Sequence, residues 1–280
     1  MAPTAETFVL EGFPAPVPVT LIPGLTKEKL LAMEAFQNWC TTLKASLKNQ
    51  HTNKTHAFHP TPYALRSIRI ESVNFFGARI GFLKFDAVIA NDAGERLPGI
   101  VFLRGGSVAM LMILRPKDHK TERLVIMTEQ PRIPAGSLAF LEIPAGMLDD
   151  HSTFVGGAAV EIKAETGLTV DRSELVDMTA LALAGASDHT GERLQDAMYP
   201  SPGGSDEFIP IFLWEKVLDR QQIQDLKGKL SGVRTQGEKI RIRLIDYEDL
   251  WSIGARDAKT LAAWALYESL KRSGRLKHTF

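Results

Sequence analysis

Two glutamates, Glu161 and Glu165, stand four residues apart near the end of the run LEIPAGMLDDHSTFVGGAAVEIKAETGL, residues 141–168. On a helix that spacing sets both carboxylates on one face. Paired carboxylates held in this way can grip a hard divalent cation such as Mg²⁺. The turn Pro144-Ala145-Gly146 precedes the helix and brings backbone carbonyls near its start. A divalent ion bridged to a diphosphate neutralises charge and polarises phosphorus, the main demand of pyrophosphate hydrolysis. The same spacing also describes an ordinary solvated helix face, so the residues alone leave both readings open.

Several elements must position these groups. A helix is expected over 154–166, ended by Gly167 as a left-handed C′ residue. Before it, alternation from about 65 predicts a β-rich region continuing through 80–90, 98–104, 107–115 and 122–130, with a turn at Asn91–Gly94. After it come a mixed segment at 174–184, a Gly/Asp/Ser-rich stretch at 185–206, strands at 207–214 and 239–246, and helices at 219–229 and 257–272. Asp257 can cap the last helix, whose apolar face is read as Leu261, Trp264, Ala265 and Leu270; Trp251 and Trp264 are read as core residues. Near the N-terminus, Leu30, Met33, Phe36, Cys40, Leu43 and Leu47 recur at helical intervals and predict one helix over 26–47, followed by a loop at 48–63. The reading is a mixed α+β layer structure with a helix-led N-terminal extension.

Composition narrows the function classes. Apolar residues make up 44% and charged residues 24%, and 33 Lys plus Arg balance 33 Asp plus Glu. Such neutrality argues against a broad nucleic-acid or anionic-membrane surface, so neither is expected as a partner. The single cysteine, Cys40, excludes an intrachain disulfide, and the seven histidines show no metal-ligand spacing. The N-terminal segment reads as an extended tail without targeting character. The longest apolar run, Val108 to Leu114, falls far short of the ~20 residues that span a bilayer. The expected compartment is the cytosol or the nucleus. Gly105-Gly106 lacks a following Gly-Lys-Ser/Thr and reads as a turn or bulge, not a phosphate loop. Asp149 and Asp150 suit a turn or assistance to a metal, and His189 and Arg193 lie in a polar loop.

The run 141–168 resembles a Nudix box: a glycine, a glutamate, and after a spacer Arg-Glu-aliphatic-x-Glu-Glu-x-Gly-aliphatic. Gly146, Glu161, Ile162, Glu165, Gly167 and Leu168 fit at the correct spacing. Ser152 stands where the first Glu is usual, Val160 where Arg is usual, and Ala164 where the first of the paired glutamates is usual. Thr128-Glu129-Gln130-Pro131-Arg132, the LEIPAGM of 141–147 and Pro202-Gly203-Gly204-Ser205-Asp206-Glu207 are similar to the ADP-ribose pyrophosphatase branch. RIGFLKF (79–85), PGIVF (98–102), PAGMLDD (144–150) and the pattern of 243–251 resemble the plant ADP-glucose/ADP-ribose pyrophosphatases, over about 36–272.

The resemblance implies an α/β/α sandwich over about 65–253 with a mixed central sheet and an N-terminal β-containing extension. The implied organisation is a tail and helix at 1–64, a β subdomain at 65–105 and a catalytic domain at 106–280. It implies Mg²⁺ or Mn²⁺ held by Glu161, Glu165 and the Ala145 carbonyl. Glu207 would orient or deprotonate the attacking water, with Glu161 or Asp206 as the next candidates. Arg132 would contact a phosphate or the terminal sugar, and Glu142 would support the site or touch substrate. An aromatic, Phe75 or Phe76, would stack on the adenine, although packing in a core or interface fits these residues equally. The implied assembly is a homodimer that exchanges N-terminal portions to finish each active site. Ala164 removes a carboxylate and Val160 a guanidinium that would brace its neighbours. Two other functions therefore stay open at this point: a nucleotide-binding sensor with little hydrolysis, and a hydrolase of UDP-sugars, NADH or coenzyme A.

Overall fold

The computed structural model describes residues 6–148, 154–184, 191–232 and 239–276, apart from the side chains of residues 160, 161 and 164. The chain forms two units, one of Met1–Gly106, Ser187–Gln195 and Ser201–Glu207, the other of Ser107–Ala186, Asp196–Pro200 and Phe208–Phe280.

In the first unit the segment expected to be a tail is a hairpin, β1 (Thr7–Leu10) against β2 (Val17–Thr20). The alternation of Val17, Val19 and Leu21, all almost wholly buried, explains the pairing. Pro18 is tolerated because it faces outward on a short strand. The expected helix over 26–47 is broken in two, α1 (Lys27–Ala32) and α2 (Glu34–Thr52). Met33 takes an extended ψ of 114°, and the Gln37 side chain donates to the Leu31 carbonyl freed by the break. The apolar periodicity survives the break, because Leu30, Met33, Phe36, Cys40 and Leu47 are all buried in one cluster. Burial also pushes the Cys40 thiol up to about 12, so it is a core group and not a nucleophile. The helix outruns its expected end because buried Gln50 reads the far side of the following loop. Its amide donates to Tyr63 O and accepts from Tyr63 N.

The sheet of this unit continues through β3 (Ala64–Phe76), β4 (Arg79–Ala90), β5 (Arg96–Leu97) and β6 (Ile100–Leu103). β2 runs parallel to β3, and the other pairs are antiparallel. One sheet face carries Ile80, Leu83 and Phe85 into the core under α1 and α2. The other presents Phe82, which contacts the rings of Phe76 and Phe102, and both of those are well exposed.

The second unit is built on β7 (Ser107–Pro116), whose residues 108–114 are all wholly buried. A strand covered on both faces reads as a continuous apolar run, which accounts for that stretch of sequence. Following it are β8 (Leu124–Arg132), β9 (Ser137–Glu142), β10 (Ala145–Met147), α3 (Phe154–Thr166), β11 (Val176–Asp177) and α4 (Met178–Leu183). The chain ends with β12 (Ile211–Leu218), α5 (Arg220–Gln224), β13 (Leu230–Ser231), β14 (Ile240–Asp246), α6 (Leu250–Ile253) and α7 (Ala258–Arg272). The sheet order is β11-β12-β7-β8-β14-β13, with β10 on β7 and β9 on β8; β12 and β7 are parallel and the rest antiparallel. One face packs Leu111, Ile113 and Met127 against Tyr247, Ala263 and Tyr267; the other packs Met110, Met112 and Ile126 against Ala158 and Ile162 of α3. The fold is α+β, a mixed sheet between helical layers, as the sequence predicts.

Four expectations shift. The strand expected at 207–214 is regular only from Ile211, because Pro210 has no N–H and Ile209 is bridged to Met198. The helix expected over 219–229 closes after Gln224, and Gly228 and Lys229 bond to Ile242 instead. The inward stripe of α7 is Thr260, Ala263, Tyr267 and Leu270, so Ala265 faces outward. Trp251 is 55% exposed, because neighbouring Leu250 takes the single inward position of the one-turn α6. No helix among the described residues is long and apolar enough to cross a membrane.

Candidate functional site

α3 spans the predicted residues, and its end follows local chemistry. Thr166 donates to Ile162 O at 2.6 Å, and its hydroxyl accepts from Leu168 N at 3.1 Å. Gly167 takes φ 74° and closes the last turn on Lys163 O. Ala158 and Ile162 anchor the helix in the sheet core, and Glu165 follows them on the inward side with only 5% exposure. An ionised carboxylate placed there must be met by donors or cations. Its Oε2 accepts from the backbone N–H of Ala145 at 3.1 Å, and its Oε1 from the Gln130 amide at 3.4 Å. The helix carboxylate and the Pro144-Ala145-Gly146 turn are thus brought together. Gln130 was not singled out by spacing; the signal was its alternation with buried Thr128, which puts both on the α3 face of β8.

Glu161 lies one turn before Glu165, but its side chain is outside the described residues, as are those of Val160 and Ala164. Asp149, Asp150, Ser152 and His189 also lie outside them. Among the described residues no three His, Cys, Asp or Glu side chains gather as a metal site. The donor chemistry present nevertheless fits a hard cation: a buried carboxylate beside a strand turn, with neither thiolate nor imidazole beside it among the described residues.

Glu142, directly before the turn, is 2% exposed and both its oxygens are engaged. Oε1 accepts from Arg132 Nε at 2.6 Å, and Oε2 pairs with Lys259 at the start of α7. Lys259 also meets Asp257 at 2.9 Å, and Thr260 ties the same helix end to the backbone N–H of Ile143 at 3.1 Å. The C-terminal helix therefore clamps the strand that leads into the Ala145 turn. Lys259 is a residue that sequence reasoning missed, since no local pattern links it to Glu142. Arg132 is 40% exposed, and among the described residues it bonds only through Nε. Its outer guanidinium edge is thus available to an anion. Breaking a buried pair leaves an uncompensated charge and costs about 3 kcal/mol or more. Lys259→Met should lower the unfolding free energy by about that amount in urea denaturation; a loss below about 0.5 kcal/mol, the level of an exposed pair, would contradict the clamp.

In the first unit, Glu207 is 18% exposed and pairs with Arg104, Nη1 to Oε1 2.6 Å. Asp206 points instead to the backbone of Arg104 and Gly105, which makes it an anchor of the loop. The loop is more tightly held than its glycines and serines suggest. Phe76 lies over Gly81, where a Cβ would come within 2.5 Å of the ring, so that glycine makes room for it. Phe75 carries Lys29 over its face at 5.0 Å. Arg193 is exposed.

The chain thus holds a buried helix carboxylate against a Pro-Ala-Gly turn, beside a mixed sheet packed between helices. No protein-family model matches the chain. The chain is 39% identical over 241 residues to Nudix hydrolase 14, chloroplastic, of Arabidopsis thaliana, covering 85% of this chain and 71% of that protein. The protein belongs to the Nudix hydrolase family and is a hydrolase. Nudix hydrolases generally use divalent metal ions.

Proposed function

We propose that this hydrolase cleaves the pyrophosphate bond of ADP-sugars, ADP-ribose or ADP-glucose, to AMP and a sugar phosphate. The observation that carries the reading is the meeting of buried Glu165 with the Ala145 turn. An extended residue sends its N–H and C=O from the same strand edge, so the amide that meets Glu165 sets the Ala145 carbonyl on that edge too. Glu165, Glu161 and the Ala145 carbonyl would hold Mg²⁺ or Mn²⁺, which supplies Lewis-acid stabilisation of charge on the diphosphate.

The chain's own groups do the rest. Arg132, oriented through Nε by Glu142, turns its outer edge to a phosphate; Glu142 itself serves by holding Arg132, since its oxygens are already engaged. Glu207 accepts a proton from the attacking water as the new P–O bond forms and the bridging P–O bond breaks. Phe76, held over Gly81, offers an exposed ring for the base. The exposed ring of Phe102, with half-buried Phe82 against it, also supports a homodimer; a monomeric mass by light scattering at micromolar concentration would count against it.

The substrate reading is tested by kcat/KM for ADP-ribose, ADP-glucose, UDP-glucose, NADH and coenzyme A, with Mg²⁺ and with Mn²⁺. ADP-sugars should lead by at least tenfold, roughly the discrimination of one well-placed contact. A preference for UDP-glucose, NADH or coenzyme A would replace the substrate and leave the hydrolase assignment standing.

A further inference from the structure

The segment that carries Glu207 belongs to the first unit, although the chain on both sides of it belongs to the second. It lies along the end of β6. Phe102 N–H donates to Gly204 O at 2.9 Å, Asp206 N–H returns to Phe102 O at 3.4 Å, and Ser205 bridges Phe102 in parallel. Asp206 then fastens the turn that follows β6. Its carboxylate accepts from Arg104 N–H at 2.7 Å and from Gly105 N–H at 3.1 Å. Gly105 takes φ 78°, and successive N–H groups in such a turn make a small anion-holding concavity. Burial pushes the Asp206 carboxyl above its ordinary range, and these backbone hydrogen bonds oppose the shift. With the backbone fixed on one side of Glu207, the guanidinium of the same Arg104 fixes its side chain from the other, both groups less than a quarter exposed.

We propose that Arg104 is the positioning residue of Glu207. The inference rests on the reading of Glu207 as the general base. A glutamate on a loop has several rotamers, and a base acts only within hydrogen-bond reach of the proton it takes. A guanidinium suits this task, because its planar fork selects one carboxylate orientation where an ammonium selects none. Small misplacement of a reacting group is costly in rate, while binding contacts elsewhere are unchanged.

The experiment compares steady-state kinetics on ADP-ribose for Arg104→Met, Arg104→Gln, Glu207→Gln and the two double variants, with folding followed by thermal denaturation. Arg104→Met should lower kcat about tenfold, within the range for lost supporting contacts, and leave KM within about twofold. Arg104→Gln, which keeps a polar donor, should fall between it and wild type, and it serves if the methionine variant does not fold. In the Glu207→Gln background either change should lower kcat no further. Wild-type kcat in both single variants would overturn the proposal. So would an equal fractional loss with and without Glu207, because Arg104 would then act independently. If Glu207→Gln alone keeps kcat within about threefold of wild type, the base assignment itself fails.

Discussion

Glu165→Gln should lower kcat/KM by about a thousandfold, the equivalent of about 4 kcal/mol of transition-state stabilisation. The substitution separates charge from structure. A glutamine oxygen can still accept from Ala145 N–H, so the Pro144-Ala145-Gly146 turn keeps its partner. What is lost is the negative charge, from a helix in which Ala164 stands where the resemblance to the Nudix box implies a third carboxylate. The variant should therefore unfold within a few degrees of wild type while losing nearly all activity and most of its Mn²⁺ affinity. Glu165→Ala makes the contrast. It leaves the Ala145 amide unmet in a buried place, which costs about 1–3 kcal/mol, so it should lose stability as well. If Glu165→Gln retains more than a tenth of wild-type activity, the buried carboxylate is a structural acceptor and not a metal ligand.

Glu207→Gln should lower kcat by about a hundredfold or more, the scale of a positioned general base, with KM within about twofold. The ion pair with Arg104 is lost in the variant, but the anchoring of the loop through Asp206 is not, so the segment remains docked on β6. This makes the substitution a clean test of the carboxylate and not of the loop. A carboxylate needs no raised pKa for this task when the attacking water is acidified by metal. A kcat within about threefold of wild type would move the base elsewhere. Asp206 would be a poor successor, because its carboxylate already accepts two backbone hydrogen bonds.

The sequence made the local part of the site legible. The span of α3, its Gly167 terminus and the Asp257 cap of α7 all follow from residue chemistry acting over a few positions. The inward direction of Glu165 was not legible, since its spacing from Glu161 suits a solvated face equally; the structure shows it following buried Ala158 and Ile162. The missed features are those where distant segments decide. The β1–β2 hairpin hid behind prolines, since Val17 and Val19 show alternation over too few residues to outweigh them. The break at Met33 has no Pro or Gly to announce it, because the apolar stripe continues through it. Trp251 was misread because burial was inferred from residue type, where a single helical turn had room for only one inward side chain. The partners of Glu142 and Glu207, Lys259 and Arg104, lie far away in sequence and left no trace in any spacing.

In the proposed reaction a divalent ion held by the α3 glutamates drives cleavage of the diphosphate. The most direct measurement is the release of AMP from ADP-ribose with Mg²⁺, followed by EDTA in excess and then by Mn²⁺ in excess of the EDTA. AMP and ribose phosphate should accumulate in equal amounts, stop with EDTA and resume with Mn²⁺, and Glu165→Gln should stay inactive throughout. Undiminished AMP release in EDTA would show that cleavage needs no divalent ion.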